Sequence, residues 1–146
     1  MILRQGKEKV LVIPDLQIPF HHQDAFDFLE YIKKKVKPTK VINIGDSIDS
    51  HALSDYIRDP DGHSAGHEHK KALEYLQDLY VIFPEGVEVE SNHNNRIYRR
   101  AYASGIPKFF LKSFKEFMGA PDGWEFLPHV VIDDIMYEHG DCCSGN

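Results

Sequence analysis

Four short stretches of this chain each carry oxygen or imidazole donors directly behind an apolar run. Asp15 and Gln17 follow Val10, Leu11, Val12 and Ile13, and Asp46 and Asp49 follow Val41, Ile42 and Ile44 across Gly45. Asn92 and His93 come after Val87 and Val89, and His139 comes after Ile135, Met136 and Tyr137. A carboxylate held on a rigid strand end is ionised and oriented before any cation arrives, which makes it a good ligand for a hard metal. One Gly-Asp turn would be unremarkable, because such turns close many ordinary strands. Asp, Asp, Asn and His in succession form a donor set suited to Mn, Fe or Zn.

The elements that must position these donors read as an α/β chain. β-branched runs bounded by Gly or Pro predict strands at Val10–Ile13, around Val41 to Ile44 and at residues 87–90, the second buried on both faces and the third alternating as a half-buried strand. Residues 24–37 predict a helix, with Ala25, Phe26, Leu29, Ile32 and Val36 near helical spacing, lysines in the last turn and Pro38 beyond. Residues 67–83 predict a second, residues from Asn94 or Asn95 a third with Arg96, Arg99 and Arg100 projecting, and Pro107 to Met118 a fourth with Phe110, Phe114 and Phe117 as its core stripe. This alternation is the βαβαβ grammar of a mostly parallel sheet flanked by helices, and ligands gather at the carboxyl ends of such strands. Residues 50–66 read as an irregular insertion or lid loop. His51, His63, His67, Glu68 and His69 would make a separate metal site only if a helix ran through Ser64, Ala65 and Gly66, which are poor helix formers. His21 and His22 lie on the loop after the first strand. Residues 123–127 and 129–133 predict short strands that begin a second sheet, with a tight turn at Asp133 and Asp134.

The order of these blocks resembles the calcineurin-like metallophosphoesterases, whose motifs D-x-H, G-D-x-x-D, G-N-H-D/E, H-G and G-H-x-H fall at successive strand ends. Here Asp15-Leu16-Gln17, Gly45-Asp46-Ser47-Ile48-Asp49, Ser91-Asn92-His93-Asn94 and His139-Gly140 match the first four over nearly the whole chain. Gln17 stands where the family has His, Ser91 and Asn94 where it has Gly and an acid, and no G-H-x-H follows His139. The resemblance implies a single domain over residues 1–146, a C-terminally incomplete sandwich, holding up to two divalent ions, with Mn favoured and Fe, Zn or Mg as alternatives. It implies Asp46 as the bridging ligand, Asp15 and Gln17 on the first ion, and Asn92 and His139 on the second. Asp49 would orient the loop behind them. Hydrolysis of a phosphomonoester or phosphodiester would use hydroxide formed from water at the metals, with His93 as the general acid and Arg96 and Asn95 contacting substrate. The competing expectations are a fold of this kind that binds without turnover, or a half-domain completed by a C-terminal segment or a second copy. A plain flavodoxin-like α/β domain would bind no metal.

Composition bounds these readings. The 146 residues are 42% hydrophobic and 12% aromatic, which suits one domain with its own core. No stretch reaches the length of a membrane span, and the N-terminus lacks the apolar core of a signal peptide, so a cytoplasmic location is expected. Cys142 and Cys143 are adjacent and cannot build a disulfide framework. The net charge of -6 argues against a general polyanion-binding surface, yet Arg96, Arg99, Arg100, Lys108, Lys112 and Lys115 occur with no acid among them. That stretch favours a nucleotide or nucleic-acid phosphodiester as substrate.

Overall fold

The apolar run Val10–Ile13 forms β1 in a computed structural model that describes residues 8–141. It pairs in parallel with β2 (Lys40–Asn43), β2 with β3 (Gly86–Val89) and β3 with β4 (Trp124–Leu127), giving one sheet of order β1-β2-β3-β4. The crossovers hold α1 (Ala25–Val36), α2 (Ala65–Ile82), and α3 (Arg96–Ala103) with the short α4 (Phe114–Phe117). An α/β fold with a parallel sheet flanked by helices is therefore observed, as the alternation of periods predicts. Val130–Ile132 and Ile135–Tyr137 make β5 and β6, an antiparallel hairpin turned by Asp133 and Asp134, both at positive φ. Among the described residues β6 has no partner except β5, and Ile135 and Met136 are exposed. Cys142 and Cys143 lie outside the described residues.

In the two central strands burial deepens toward the carboxyl ends. In β2, Lys40 is exposed and Val41 half-buried, while Ile42 and Asn43 are fully enclosed; β3 runs the same way from Gly86 to Val89. The expectation of β2 as a strand buried on both faces thus holds for its last two residues alone. Beneath the helices, Ile13, Leu29, Leu76, Leu79, Tyr80 and Phe83 form the core with Met118 and Trp124, whose indole N–H donates to the Phe83 carbonyl at 2.8 Å.

Several elements differ from the sequence expectation. Residues 124–127 do not start a second sheet but extend the first, because Trp124 fills the space beside Tyr80 and Phe83. Helix α2 begins at Ala65 and takes in Gly66, since Ser64 caps it by accepting the His67 N–H. The expected fourth helix is broken. Lys108–Phe110 is a single 3-10 turn, and α4 restarts after Ser113, which forms a reciprocal capping box with Glu116. Phe110 consequently lies 74% exposed, outside the core stripe that Phe114 and Phe117 do join. Arg96 does not project from α3 either: it is only 8% exposed.

Candidate metal centre

The loops after β1 and β2 are laced to one another by backbone hydrogen bonds. Gln17 N–H donates to the Asp46 carbonyl, Ile18 N–H to Ser47 and Asp49 N–H to Ile18, each at 2.9 Å. Ile18 and Ile48 pair across this seam and are essentially inaccessible to water. Burying two such side chains contributes roughly 1.5–3 kcal/mol each, so both donor-bearing loops are tied into the core. The chain turns sharply to achieve this: Asp15, Gln17 and Asp46 are all at positive φ, as is Gly45 at +98°. At Gly45 no other residue fits, because a Cβ would lie 2.4 Å from the Ser91 Cβ as well as demanding a conformation that L-residues avoid.

This packing brings three of the sequence-derived ligands together. One ligand atom each from Asp15, Asp46 and His139 lie within 4.8 Å of one another. Asp46 divides its oxygens: Oδ2 accepts from Gln17 Nε2 at 3.2 Å, while Oδ1 accepts the His93 backbone N–H at 3.2 Å and faces His139 Nε2 at 3.5 Å. His139 Nδ1 lies 2.8 Å from the Ile44 carbonyl, which can only accept, so Nδ1 carries the proton. Its Nε2 then faces Asn92 Oδ1 at 2.9 Å and the Asp46 carboxylate at 3.5 Å. A backbone carbonyl holding the far nitrogen, with the near one directed at oxygen donors, is the arrangement that metal-ligating histidines use. The donors fit a divalent ion. Gln17 is at the site, but its amide nitrogen is spent on orienting Asp46.

Beside this cluster lies His93. Arg96 Nη2 approaches His93 Nε2 at 2.9 Å, and since a guanidinium only donates, Nε2 accepts and the ring proton is on Nδ1. Nδ1 stands 3.0 Å from Asp49 Oδ1, close enough for charge contact though not aligned as a hydrogen bond. Arg96 also donates from Nη1 to the Asp49 carbonyl at 2.7 Å and approaches Oδ1 at 3.3 Å. Asp49 therefore faces His93 and Arg96, away from the Asp15, Asp46 and His139 atoms. Asn95 precedes α3 and lines a groove with Asn92.

A buried polar layer underlies these residues, and the sequence reading missed it. Ser91 Oγ accepts the Asp46 N–H at 2.9 Å and so holds the central carboxylate's backbone. Glu88 is wholly enclosed; its Oε1 accepts from the Ser47 hydroxyl and from Asn94 Nδ2. Burial, reinforced by the nearby Asp46 charge, pushes the Glu88 carboxyl up to about 7, and the two hydrogen bonds only partly oppose it. Asn94 is thus spent below the site. The available signal was positional: in a central parallel strand both faces are covered, so Glu88 in the Val87, Glu88, Val89, Glu90 alternation could not all face water.

The other histidines do not join the centre. His21 is wedged edge-on between Phe26 and Tyr75, with ring centroids 4.9 and 4.4 Å away, and burial lowers its proton affinity. His22 is exposed. His63 and His67 stack at 4.5 Å, but among the described residues no third His, Cys, Asp or Glu completes a ligand set with them. Glu68 accepts the His51 and Ala52 backbone N–H groups at 2.6 and 2.8 Å, and His69 stacks on Phe117. No described helix is long and apolar enough to cross a membrane. No family model matches the chain, and neither a curated protein nor a solved structure matches it.

Proposed function

We propose that this chain is a metal-dependent phosphoesterase of the calcineurin-like kind, acting on a phosphomonoester or phosphodiester. The observation that carries the reading is the convergence of Asp15, Asp46 and His139 on one point from the ends of β1, β2 and β6. Asn92 stands beside them as a neutral oxygen donor. Divalent ions bound there, Mn before Fe, Zn or Mg, would neutralise phosphoryl oxygens and make water a nucleophile at neutral pH. The protein's own part is positional. Asp46 presents one oxygen to each side, Gln17 and Ser91 fix its angle, and the Ile44 carbonyl keeps His139 Nε2 turned inward. His93 serves as the acid for the leaving alkoxide from Nε2, with Asp49 stabilising its protonated ring. A substrate phosphoryl oxygen competes for Arg96, and drawing that guanidinium away frees Nε2 to carry the proton.

The test is Mn-dependent hydrolysis of bis(p-nitrophenyl) phosphate. The wild-type chain should show turnover that a chelator removes and Mn restores, and Asp46→Asn should lose it. Turnover that survives both treatments would refute the reading. A second reading, binding without turnover, is favoured by one contact: the Arg96 guanidinium occupies the His93 nitrogen that catalysis needs. It predicts Mn binding by the wild type with no hydrolysis of any ester.

A further inference from the structure

The stretch from Tyr98 to Phe110 leaves large aromatic side chains in water. Tyr102 is 86% exposed, Phe109 90% and Phe110 74%, with Ile106 also exposed. Scattered apolar side chains on a surface need no explanation, whereas an open aromatic ring lining a groove beside a site does. Tyr98, Tyr102, Ile106, Arg99 and Lys108 line a groove of about 630 Å³ together with Asn92. Asn92 is also the residue 2.9 Å from His139 Nε2, so the groove adjoins the donor cluster. Its floor is fixed: the Tyr98 hydroxyl donates to the Lys112 carbonyl at 2.9 Å, and Lys108 Nζ lies 5.3 Å from the Tyr98 ring centre. Tyr102, one turn further along α3, is the open ring.

We propose that this groove is a nucleobase subsite, which makes the substrate a nucleotide-bearing phosphoester. The proposal rests on the phosphoesterase reading for the chemistry but not for the binding. Three features select the occupant. A π-face beside a phosphate site suits a base, because every base can stack on an aromatic ring whatever its sequence. Arg99, which also lies 3.8 Å from Asp55 Oδ2, and Lys108 place positive charge along the groove in a chain whose net charge is -6, complementing a phosphate backbone. Asp141 and Asn95 also line the groove, an acceptor and an amide that can meet the polar edge of a base. Mononucleotides and single strands share this chemistry.

Binding is measured first in chelator, where no hydrolysis can occur, by titrating fluorescein-labelled oligothymidylate and, separately, thymidine 5′-monophosphate. The wild type should bind the labelled strand, Tyr102→Ala should weaken it roughly tenfold, and Tyr102→Phe, which keeps the ring, should restore it. Tyr31→Ala, on exposed α1, controls for any surface aromatic. Comparable binding of the mononucleotide identifies a single base as sufficient, and binding of the oligomer alone identifies a strand. With Mn added, kcat/KM for thymidine 5′-p-nitrophenyl phosphate should exceed that for methyl p-nitrophenyl phosphate, and Tyr102→Ala should collapse that ratio. No wild-type binding of either ligand, or equal losses in the Tyr102→Ala and Tyr31→Ala variants, overturns the subsite. Binding that obeys these expectations without hydrolysis of either ester overturns the phosphoesterase reading and leaves the subsite standing.

Discussion

Two histidine-bearing regions of this molecule have nearly the same ingredients and opposite outcomes. From the loop after β2 into the first turns of α2, His51, His63, His67, Glu68 and His69 lie close in sequence, yet they are spent locally: Glu68 on backbone N–H groups, His69 on Phe117, and His63 against His67. At the strand ends, Asp15, Asp46 and His139 come from distant parts of the chain and converge within 4.8 Å. The difference is the scaffold. Strands β1 and β2 align their carboxyl ends, the Ile18–Ile48 seam fixes their two loops in register, and His139, just past the β5–β6 hairpin, is held against the Ile44 carbonyl. By contrast, His63, just ahead of α2, and His67, in its first turn, stack on each other with no third ligand among the described residues. Proximity in sequence makes histidines neighbours; the packing of distant strand ends makes donors converge.

The largest expected effect sharpens the strand-end half of this contrast. His93→Ala should lower kcat on an alkyl ester by roughly 10² to 10⁴ while leaving metal content nearly intact, since His93 contacts Asp46 only through its backbone N–H and a 3.8 Å ring approach. An aryl ester, whose phenolate departs without a proton, should be cleaved by the variant far better. Equal losses on both esters would make His93 a ligand or a structural residue instead.

A smaller effect tests the polar layer below. Glu88 is raised from an ordinary 4.5 to about 7 by burial and by Asp46. In the window between those values the unfolded chain has released a proton that the folded chain keeps. Stability therefore falls as pH rises from about 4.5 to about 7, by about 3 kcal/mol in total. Glu88→Gln keeps an acceptor for Ser47 and Asn94 and removes the titration. Urea unfolding in chelator at pH 5 and at pH 7.5 should show the wild type losing most of this amount relative to the variant, and parallel losses in the two proteins would show that Glu88 does not titrate in this way.

How much of this was legible in the sequence depends on what kind of force places each residue. Asp15, Asp46 and His139 follow apolar runs, so a strand-end position is written locally, and the parallel sheet follows from the alternation of periods. The lacing of residues 17–18 to 46–49 was not legible, because it is made by backbone groups that every sequence carries. Glu88 was misread because strict alternation looks the same whether one face or both are covered. Arg96 was expected to project, as helix periodicity alone suggests; only the tertiary placement of Asp49 explains its burial. The broken fourth helix is the converse case. Its Ser113 and Glu116 spell a capping box at the spacing such boxes require, but the phenylalanine periodicity across it suggested continuity.

The contrast between the two regions is decided most directly by calorimetric titration of Mn into three proteins. The wild type should bind, Asp46→Ala/His139→Ala should lose affinity by more than about 100-fold, and His63→Ala/His67→Ala should match the wild type. Unchanged affinity in the first double variant, or its loss in the second, would contradict the assignment of the metal centre to the strand ends.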